Sequence, residues 1–417
     1  MRGMLAALLS QSPASKPASP PPRGSRVSWE TETFGGISSL VPATSPVPSP
    51  AADEAVIAVR AIGLNYADVF CVLGLYEAAN AVIAATGGAF CPGLEFAGEV
   101  LSVGSDVTQF KPGERVYGFC RFGAYRSVVA AREPLLRRIP DEWSYAEAAG
   151  LLVQGLTAWH GLVELGVARA GSRVLVHSAA GGVGCAALSI CEALGCEAVG
   201  VVGGEHKRTF LTDRFSSPGG WRPALLVRRS EREYASQLDD LAGAARASDL
   251  PGSATNTAQF DVVLDSLGGR YFTAALDRLA PMGRLVHFGA TYSYGGASDG
   301  LRKWLTLVPG WLGRPKVDPG ELVGTNRAVM GFNLIWWTPP DALSPARRSR
   351  LSEPYRATDR CSGSPSARRC SRLSSTPCSH AAGSSAARLP SAVSSTSRSC
   401  LTRSSTCALA RAWGKWW

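Results

Sequence analysis

Residues 174–184 read Val-Leu-Val-His-Ser-Ala-Ala-Gly-Gly-Val-Gly, and an apolar, helix-like run follows from Cys185 to Leu194. A short buried strand here turns sharply through small residues into a helix. Glycines let backbone N–H groups approach a diphosphate, and the helix N-terminus adds partial positive charge. The turn Ala179-Ala180-Gly181-Gly182-Val183-Gly184 fits G-x-G-x-x-G with alanine in the first position. Alone that pattern is weak, because an ordinary tight strand-to-helix turn also satisfies it. The flanking strand, the helix and a second strand in sequence make it a dinucleotide cradle. Ala180, Gly181, Gly182 and Val183 are the candidate backbone contacts.

The end of the second strand bears on which dinucleotide fits. An acidic residue there accepts from the ribose 2′-hydroxyl of NAD. This strand ends Val201-Val202-Gly203-Gly204. Glycine leaves room for a 2′-phosphate, which a carboxylate would repel. Lys207 and Arg208 follow closely and can pair with it, although Glu205 could instead hydrogen-bond a ribose. The balance favours NADPH, with Gly203 and Lys207 at the phosphate. Later strands end at Asp265-Ser266-Leu267-Gly268-Gly269 and His287-Phe288-Gly289-Ala290. Small residues there admit the nicotinamide half, so Phe288 and Gly289 join the candidates. Asp265 and His287 themselves read as strand-ending turn residues.

The elements that must position these residues are legible in outline. Strands are expected at 55–61, 98–104, 115–117 and 124–129, punctuated by Gly and Pro. They suggest an irregular β-rich first domain ending near Pro140. Helical patterns follow at 144–149 and 151–165, with Asp141 or Ser144 as cap. Strands at 173–177, 197–202, 260–265 and 284–288 then alternate with helices at 182–194, 206–212, 231–242 and 271–279. Such alternation specifies an α/β, doubly wound parallel sheet. Segments 216–220 and 247–259 read as surface loops, and the small, apolar stretch 77–89 has no derivable conformation.

Composition narrows the function classes. The chain has 417 residues, enough for two domains with their own cores, and a net charge of +10. Residues 338–417 hold 13 Lys/Arg against 3 Asp/Glu, and the rest of the chain is balanced. The basic excess therefore belongs to the tail and gives no ground for a nucleic-acid partner of the fold. Cys71, Cys91, Cys120, Cys185, Cys191 and Cys196 show no C-x-x-C pair and read as buried thiols in a reducing compartment. No stretch reads as a membrane span. Residues 1–26 are Pro/Ser-rich and expected to be disordered. Residues 1–29 contain no acid. A cytoplasmic protein is expected, with a plastid or mitochondrial transit segment as the alternative.

Several motifs occur together and in order: Gly63-Leu64-Asn65-Tyr66-Ala67-Asp68, Gly74-Leu75-Tyr76, Pro92-Gly93-Leu94-Glu95-Phe96-Ala97-Gly98, Lys111-Pro112-Gly113-Glu114-Arg115-Val116, Gly155-Leu156-Thr157-Ala158 and the cradle. In these the chain resembles the medium-chain dehydrogenase/reductase superfamily, specifically its zinc-independent, ζ-crystallin-like quinone oxidoreductase branch. Leu267-Gly268-Gly269, Pro281-Met282-Gly283 and Asn326-Arg327-Ala328-Val329 resemble the vesicle amine transport protein homologues within it. The resemblance implies a GroES-like substrate domain at 27–143 and a Rossmann NADP-binding domain at 144–337. It implies hydride transfer from NADPH to a quinone or an α,β-unsaturated carbonyl. It places Asn65 and Thr157 beside the nicotinamide and Tyr76 where enoyl-thioester reductases carry a tyrosine. Tyr76 is a proton donor or an aromatic wall. Zinc-dependent relatives carry a Cys near the Asn65–Asp68 turn and Gly-His-Glu where this chain has Gly93-Leu94-Glu95, so no metal is expected. A conjugated acceptor spreads developing charge and needs less Lewis-acid help. Homodimers are usual in this branch.

After about Trp337 the resemblance stops, and 19 serines crowd residues 338–417. If the final Ala-Trp-Gly-Lys-Trp-Trp is encoded as GCG TGG GGA AAG TGG TGG, reading two nucleotides later gives the Val-Gly-Lys-Val-Val ending of relatives. A frame shift in the coding sequence is therefore expected near residue 337. A genuine basic, disordered tail that binds an acidic partner is the alternative. Three functions stay open: a quinone or enone reductase, an enoyl-thioester reductase, and a non-catalytic nucleotide-binding homologue.

Overall fold

The computed structural model describes residues 24–86, 89–216, 220–228, 230–243, 259–289 and 315–337. Expectations for 1–23, for nearly all of the loop 247–259, for Ala290 and for the tail 338–417 lie outside the described residues.

The first half of the chain builds antiparallel sheet. β1 (Ser25–Glu30) and β2 (Val41–Pro46) form a two-stranded ribbon. β3 (Glu54–Gly63), β4 (Glu95–Val103), β5 (Arg115–Phe119), β6 (Val128–Arg132) and β7 (Leu136–Arg138) form a sheet in the order β6-β3-β4-β5-β7. Ile57, Phe96, Val100, Val116 and Leu136 meet in its apolar core. The strand expected at 124–129 starts later, at Val128. The Tyr125 carbonyl accepts from Trp29 N–H and Ser127 N–H donates to Val27, so those residues pair with the ribbon instead. Two helices, α1 (Tyr66–Val72) and α2 (Glu77–Thr86), bridge β3 to β4. The buried face of α2 includes Ala78 and Ala79, too small to give a strong periodic signal.

Two further helices lead out of this sheet. α3 (Tyr145–Ala149) starts at a reciprocal cap: Ser144 Oγ accepts from Glu147 N–H, and the Glu147 carboxylate accepts from Ser144 N–H. α4 (Leu152–Trp159) then runs into a wide turn at His160–Leu165, where Gly166 N–H reaches the Gly161 carbonyl at 3.0 Å. The helix expected over 151–165 is present from Leu152, with its last six residues widened. A Cβ on Gly161 would stand 2.5 Å from Leu264 Cδ1, so the missing side chain lets the second sheet approach.

That second sheet is parallel throughout. It comprises β8 (Arg173–Val176), β9 (Glu197–Val202), β10 (Ala224–Val227), β11 (Phe260–Asp265), β12 (Leu279–His287) and β13 (Ala328–Gly331). The strand order is β10-β9-β8-β11-β12-β13. The helices are α5 (Gly182–Leu194), α6 (Glu205–Arg214), α7 (Glu231–Gly243), α8 (Gly269–Leu276) and α9 (Pro319–Thr325). α8 stops short of the expected Leu279 because that residue already pairs with Phe260 as the start of β12. The alternation along β8 explains the layers. Val174 and Val176 face one core with Leu162, Ala187 and Leu188, while Leu175 faces another with Leu238, Tyr271 and Phe272. Each fully buried large aliphatic side chain contributes about 1.5–3 kcal/mol.

Sheet order reverses between β8 and β11, which opens a crevice at their C-terminal ends. There Asp265 and His287 are more than turn residues. The Asp265 carboxylate accepts from His177 Nδ1 at 2.6 Å and His287 Nδ1 at 2.7 Å, and from the amides of Leu267 and Gly268. A carboxylate only accepts, so both Nδ1 atoms carry protons. His177 Nε2 is left to accept from the Tyr234 hydroxyl at 2.6 Å. Burial alone would raise the Asp265 carboxyl, but the two imidazoles outweigh it and hold it below the usual carboxylate range. Four elements, β8, β11, β12 and α7, are thereby fastened at one edge. Asp265→Asn is expected to cost about 3 kcal/mol at neutral pH, because it leaves a buried imidazole N–H facing an amide. A depressed carboxyl pKa stabilises the fold above the unfolded value of about 3.9 and loses that effect below it. Thermal melts should therefore show the gap between variant and parent narrowing as pH falls below about 4.

Candidate functional site

Ser178 leaves β8 with φ +53°, a left-handed turn that aims the chain at α5. The N-cap of α5 is Gly181, which offers no side-chain cap, and no acid lies in the first turn. The leading amides of a 13-residue helix thus face the crevice with their partial positive charge intact. Gly181 and Gly182 are exposed, and Ala180 and Val183 are half-buried. A Cβ on Gly182 would overlap the Gln154 side chain, and one on Gly184 would stand 2.5 Å from Ala179 Cα. At Gly184 the clash would be with backbone, so a glycine is required there for the turn to close. A diphosphate fits such a cradle.

The neighbouring strand ends complete the crevice. Ser266 Oγ donates to Ser178 Oγ at 2.9 Å, which ties the end of β11 to the cradle turn. A Cβ on Gly289 would stand 3.7 Å from the Ser266 carbonyl. Phe288 N–H donates to the Asp265 carbonyl, and its ring lies 6.3 Å from that of Phe332. Phe288 and Gly289 are therefore brought to the same edge as the cradle.

Asn65 lies just beyond β3 of the other sheet. It caps α1, and Asp68 N–H bonds to the Asn65 backbone carbonyl while the Asp68 carboxylate accepts from Asn65 N–H at 2.8 Å. The side-chain amide of Asn65 is directed elsewhere: Nδ2 donates to Glu95 Oε1 at 2.8 Å. Glu95 Oε2 accepts from Val153 N–H at the start of α4, also at 2.8 Å. The Val153 carbonyl in turn accepts from Thr157 Oγ1 at 2.6 Å. Asn65 and Thr157 thus converge through one residue of α4, and the next residue, Gln154, lies against Gly182 of the cradle. Burial raises Glu95 to about 7 despite the bonds from Asn65 and Val153. Burial likewise raises Asp68 to about 6, although it accepts from Asn65, Tyr125 and Gly93.

Other expected residues fall differently. Tyr76 is joined to Asn333, with its hydroxyl donating to Oδ1 at 2.7 Å, and its ring stands edge-on to Phe122 at 6.3 Å. Burial pushes its phenol up to about 12. Lys207 is exposed on the first turn of α6, whereas Arg208 is paired with Glu205. A Cβ added at Gly203 would meet the Arg228 side chain within 4 Å, and one added at Gly204 would meet that of His206. Sequence reasoning missed Glu95 as a partner of Asn65, and also Gln154, Asn333 and Arg228. Glu95 alone carried a signal, as an acid at the head of the largely apolar run Glu95-Phe96-Ala97-Gly98. Among the described residues, no group of three or more His, Cys, Asp or Glu side chains is placed to hold a metal ion, and no single helix is long and apolar enough to cross a membrane.

A family model described as the alcohol dehydrogenase GroES-like domain matches residues 51–141, and one described as zinc-binding dehydrogenase matches residues 182–332. The chain is 36% identical over 276 residues to the spectinabilin polyketide synthase system protein NorB of Streptomyces orinoci. That match takes 65% of this chain but 11% of the relative, so the chain spans about a tenth of that protein. It is 30% identical over 305 residues to the synaptic vesicle membrane protein VAT-1 homolog of Homo sapiens, covering 72% of this chain and 70% of that one. Among solved structures, CurK enoyl reductase superposes with a TM-score of 0.57 at 27% identity, over 78% of this chain and 86% of the other. A quinone oxidoreductase of Pseudomonas syringae pv. Tomato DC3000 gives 0.56 at 27% identity, over 73% and 80%. The GroES-like sheet, the parallel sheet with its glycine cradle, and these likenesses agree: the chain belongs to the medium-chain dehydrogenase/reductase superfamily, on its zinc-independent, quinone oxidoreductase-like branch near the VAT-1 homologues.

Proposed function

We propose that this protein is an NADPH-dependent reductase that delivers hydride to a quinone or an α,β-unsaturated carbonyl. The observation that carries this reading is α4. The same short helix abuts the diphosphate cradle through Gln154 and fixes an amide donor, Asn65, through Val153 and Glu95. The diphosphate would rest on Gly181, Gly182 and Val183, with Ala180 beside it. Thr157, Phe288 and Gly289 would border the nicotinamide, and Gly203 and Lys207 the 2′-phosphate. Glu205 is engaged by Arg208, which leaves it poorly disposed to capture a ribose hydroxyl.

When bound, the nicotinamide supplies the hydride. The protein must then stabilise negative charge on the acceptor oxygen. One Asn65 Nδ2 hydrogen is committed to Glu95, and the second remains to donate to that oxygen. Glu95 fixes the orientation of the amide. Ionised, it accepts from Asn65; protonated, it presents a hydrogen where Asn65 also has one. Leu94 offers no ligand atom to a metal, which favours acceptors whose conjugation spreads the charge. Tyr76 keeps its proton at neutral pH and directs it to Asn333, so it serves as an aromatic wall of the pocket. The polyketide synthase likeness and the CurK enoyl reductase superposition favour an enoyl thioester as the second reading.

Loss of NADPH absorbance with a panel of quinones, enones and enoyl thioesters tests the reading. Turnover is expected with at least one class, and NADPH binding without turnover on any of them would leave a nucleotide-binding homologue. Asn65→Ala should lower kcat about 100-fold, the usual scale for losing an oxyanion donor. Tyr76→Phe should stay within about 3-fold, and a loss as deep as that of Asn65→Ala would restore the proton-donor role. In the parent, kcat/KM should fall as pH drops through about 7, where Glu95 takes up its proton. Glu95→Gln should remove that limb while lowering kcat about 10-fold, because a neutral amide holds Asn65 less firmly.

A further inference from the structure

The side chain facing Gly203 comes from β10, an edge strand with no sequence signal of its own. Leu226 pairs with Val201 and Val227 with Val202, so the next residue, Arg228, lies alongside Gly203. Its amide donates to the Val202 carbonyl at 3.0 Å, which sets the backbone. The guanidinium is held from one side. Nη1 donates to the Tyr271 hydroxyl at 2.7 Å, and Cζ sits 5.0 Å above the Tyr271 ring. Its other edge faces the glycine: a Cβ on Gly203 would stand 3.5 Å from Nη2 and 3.7 Å from Nε. Nε and Nη2 together form the two-pronged face that matches a phosphate. Among the described residues, no carboxylate forms an ion pair with Arg228. Arg208 has its charge answered by Glu205, and Lys207 is an exposed, flexible point charge.

We infer that Arg228 is the residue that selects a nucleotide bearing a 2′-phosphate, anchored by Tyr271 and given its space by Gly203. The inference rests on the dinucleotide reading above and moves the discriminating contact from Lys207 to a different strand. Tyr271 pre-orders the fork, so little side-chain freedom is lost when an anion arrives.

Calorimetric titration of the full chain with 2′,5′-ADP and with 5′-AMP tests it without relying on turnover. The parent should bind 2′,5′-ADP at least about 30-fold more tightly, in keeping with charge-assisted, two-pronged contacts. Arg228→Gln should bring the two ligands within about 3-fold of each other and leave 5′-AMP affinity unchanged. Arg228→Lys keeps the charge without the fork, guards against a folding defect and should retain an intermediate preference. Lys207→Ala should lower the preference by clearly less than Arg228→Gln does. A parent preference that survives in Arg228→Gln, or that disappears in Lys207→Ala alone, overturns the assignment and leaves the NADPH reading standing. A parent that binds both ligands equally overturns the NADPH reading itself.

Discussion

A single buried carboxylate, Glu95, joins the two halves of this molecule. One oxygen takes the Asn65 side chain from the antiparallel sheet, and the other takes the first turn of α4, which leads to the parallel sheet. A buried charge is tolerated only where hydrogen bonds replace the water it has lost. Both oxygens must therefore stay engaged, and that demand fixes α4 relative to β4. Gly63 is part of the same constraint, since a Cβ there would collide with Glu95 and with the Ala149 carbonyl. The cradle, the Asn65 amide and the buried Thr157 hydroxyl keep their relation while the ionised carboxylate holds both sides.

The parallel sheet makes its own demand. Its strands all end on one edge, where the chain must turn and backbone groups lose their ladder partners. The protein answers with side chains at some ends and open glycines at others. Asp265 gathers the ends of β8, β11 and β12. At Gly181, Gly182 and Gly203 the backbone is left bare. The rigid ends hold the crevice in shape, and the bare ends leave space inside it. Tyr234 and Tyr271 stand with ring centres 4.9 Å apart on one face of the sheet, and each steadies a cation-capable partner, His177 and Arg228 respectively.

Such an arrangement suits a reaction in which a small acceptor meets a large cofactor. On the proposed function, binding energy would come from the long dinucleotide, spread over several strand ends. The reacting end needs only orientation and one well-aimed donor. The two tasks fall on different sheets, and α4 is the short element that spans them.

Much of this was written in the order of residues. Strand–glycine turn–helix is a local pattern, so β8, α5, β9 and β11 emerge at their true positions within a residue. The charge balance outside the tail and the identity of Leu94 are likewise properties of the chain as read. Edge strand β10 was not legible, because four residues without alternation look like a loop until β9 offers hydrogen bonds. α2 hid behind alanines. The partnerships of Asp265 with two histidines, of Glu95 with Asn65 and Val153, and of Arg228 with Gly203 join residues distant in the chain. Local sequence determined which groups exist and where the backbone can turn. Tertiary structure alone decided which of them meet, because register between strands and burial of charge are settled only when the two sheets close on each other.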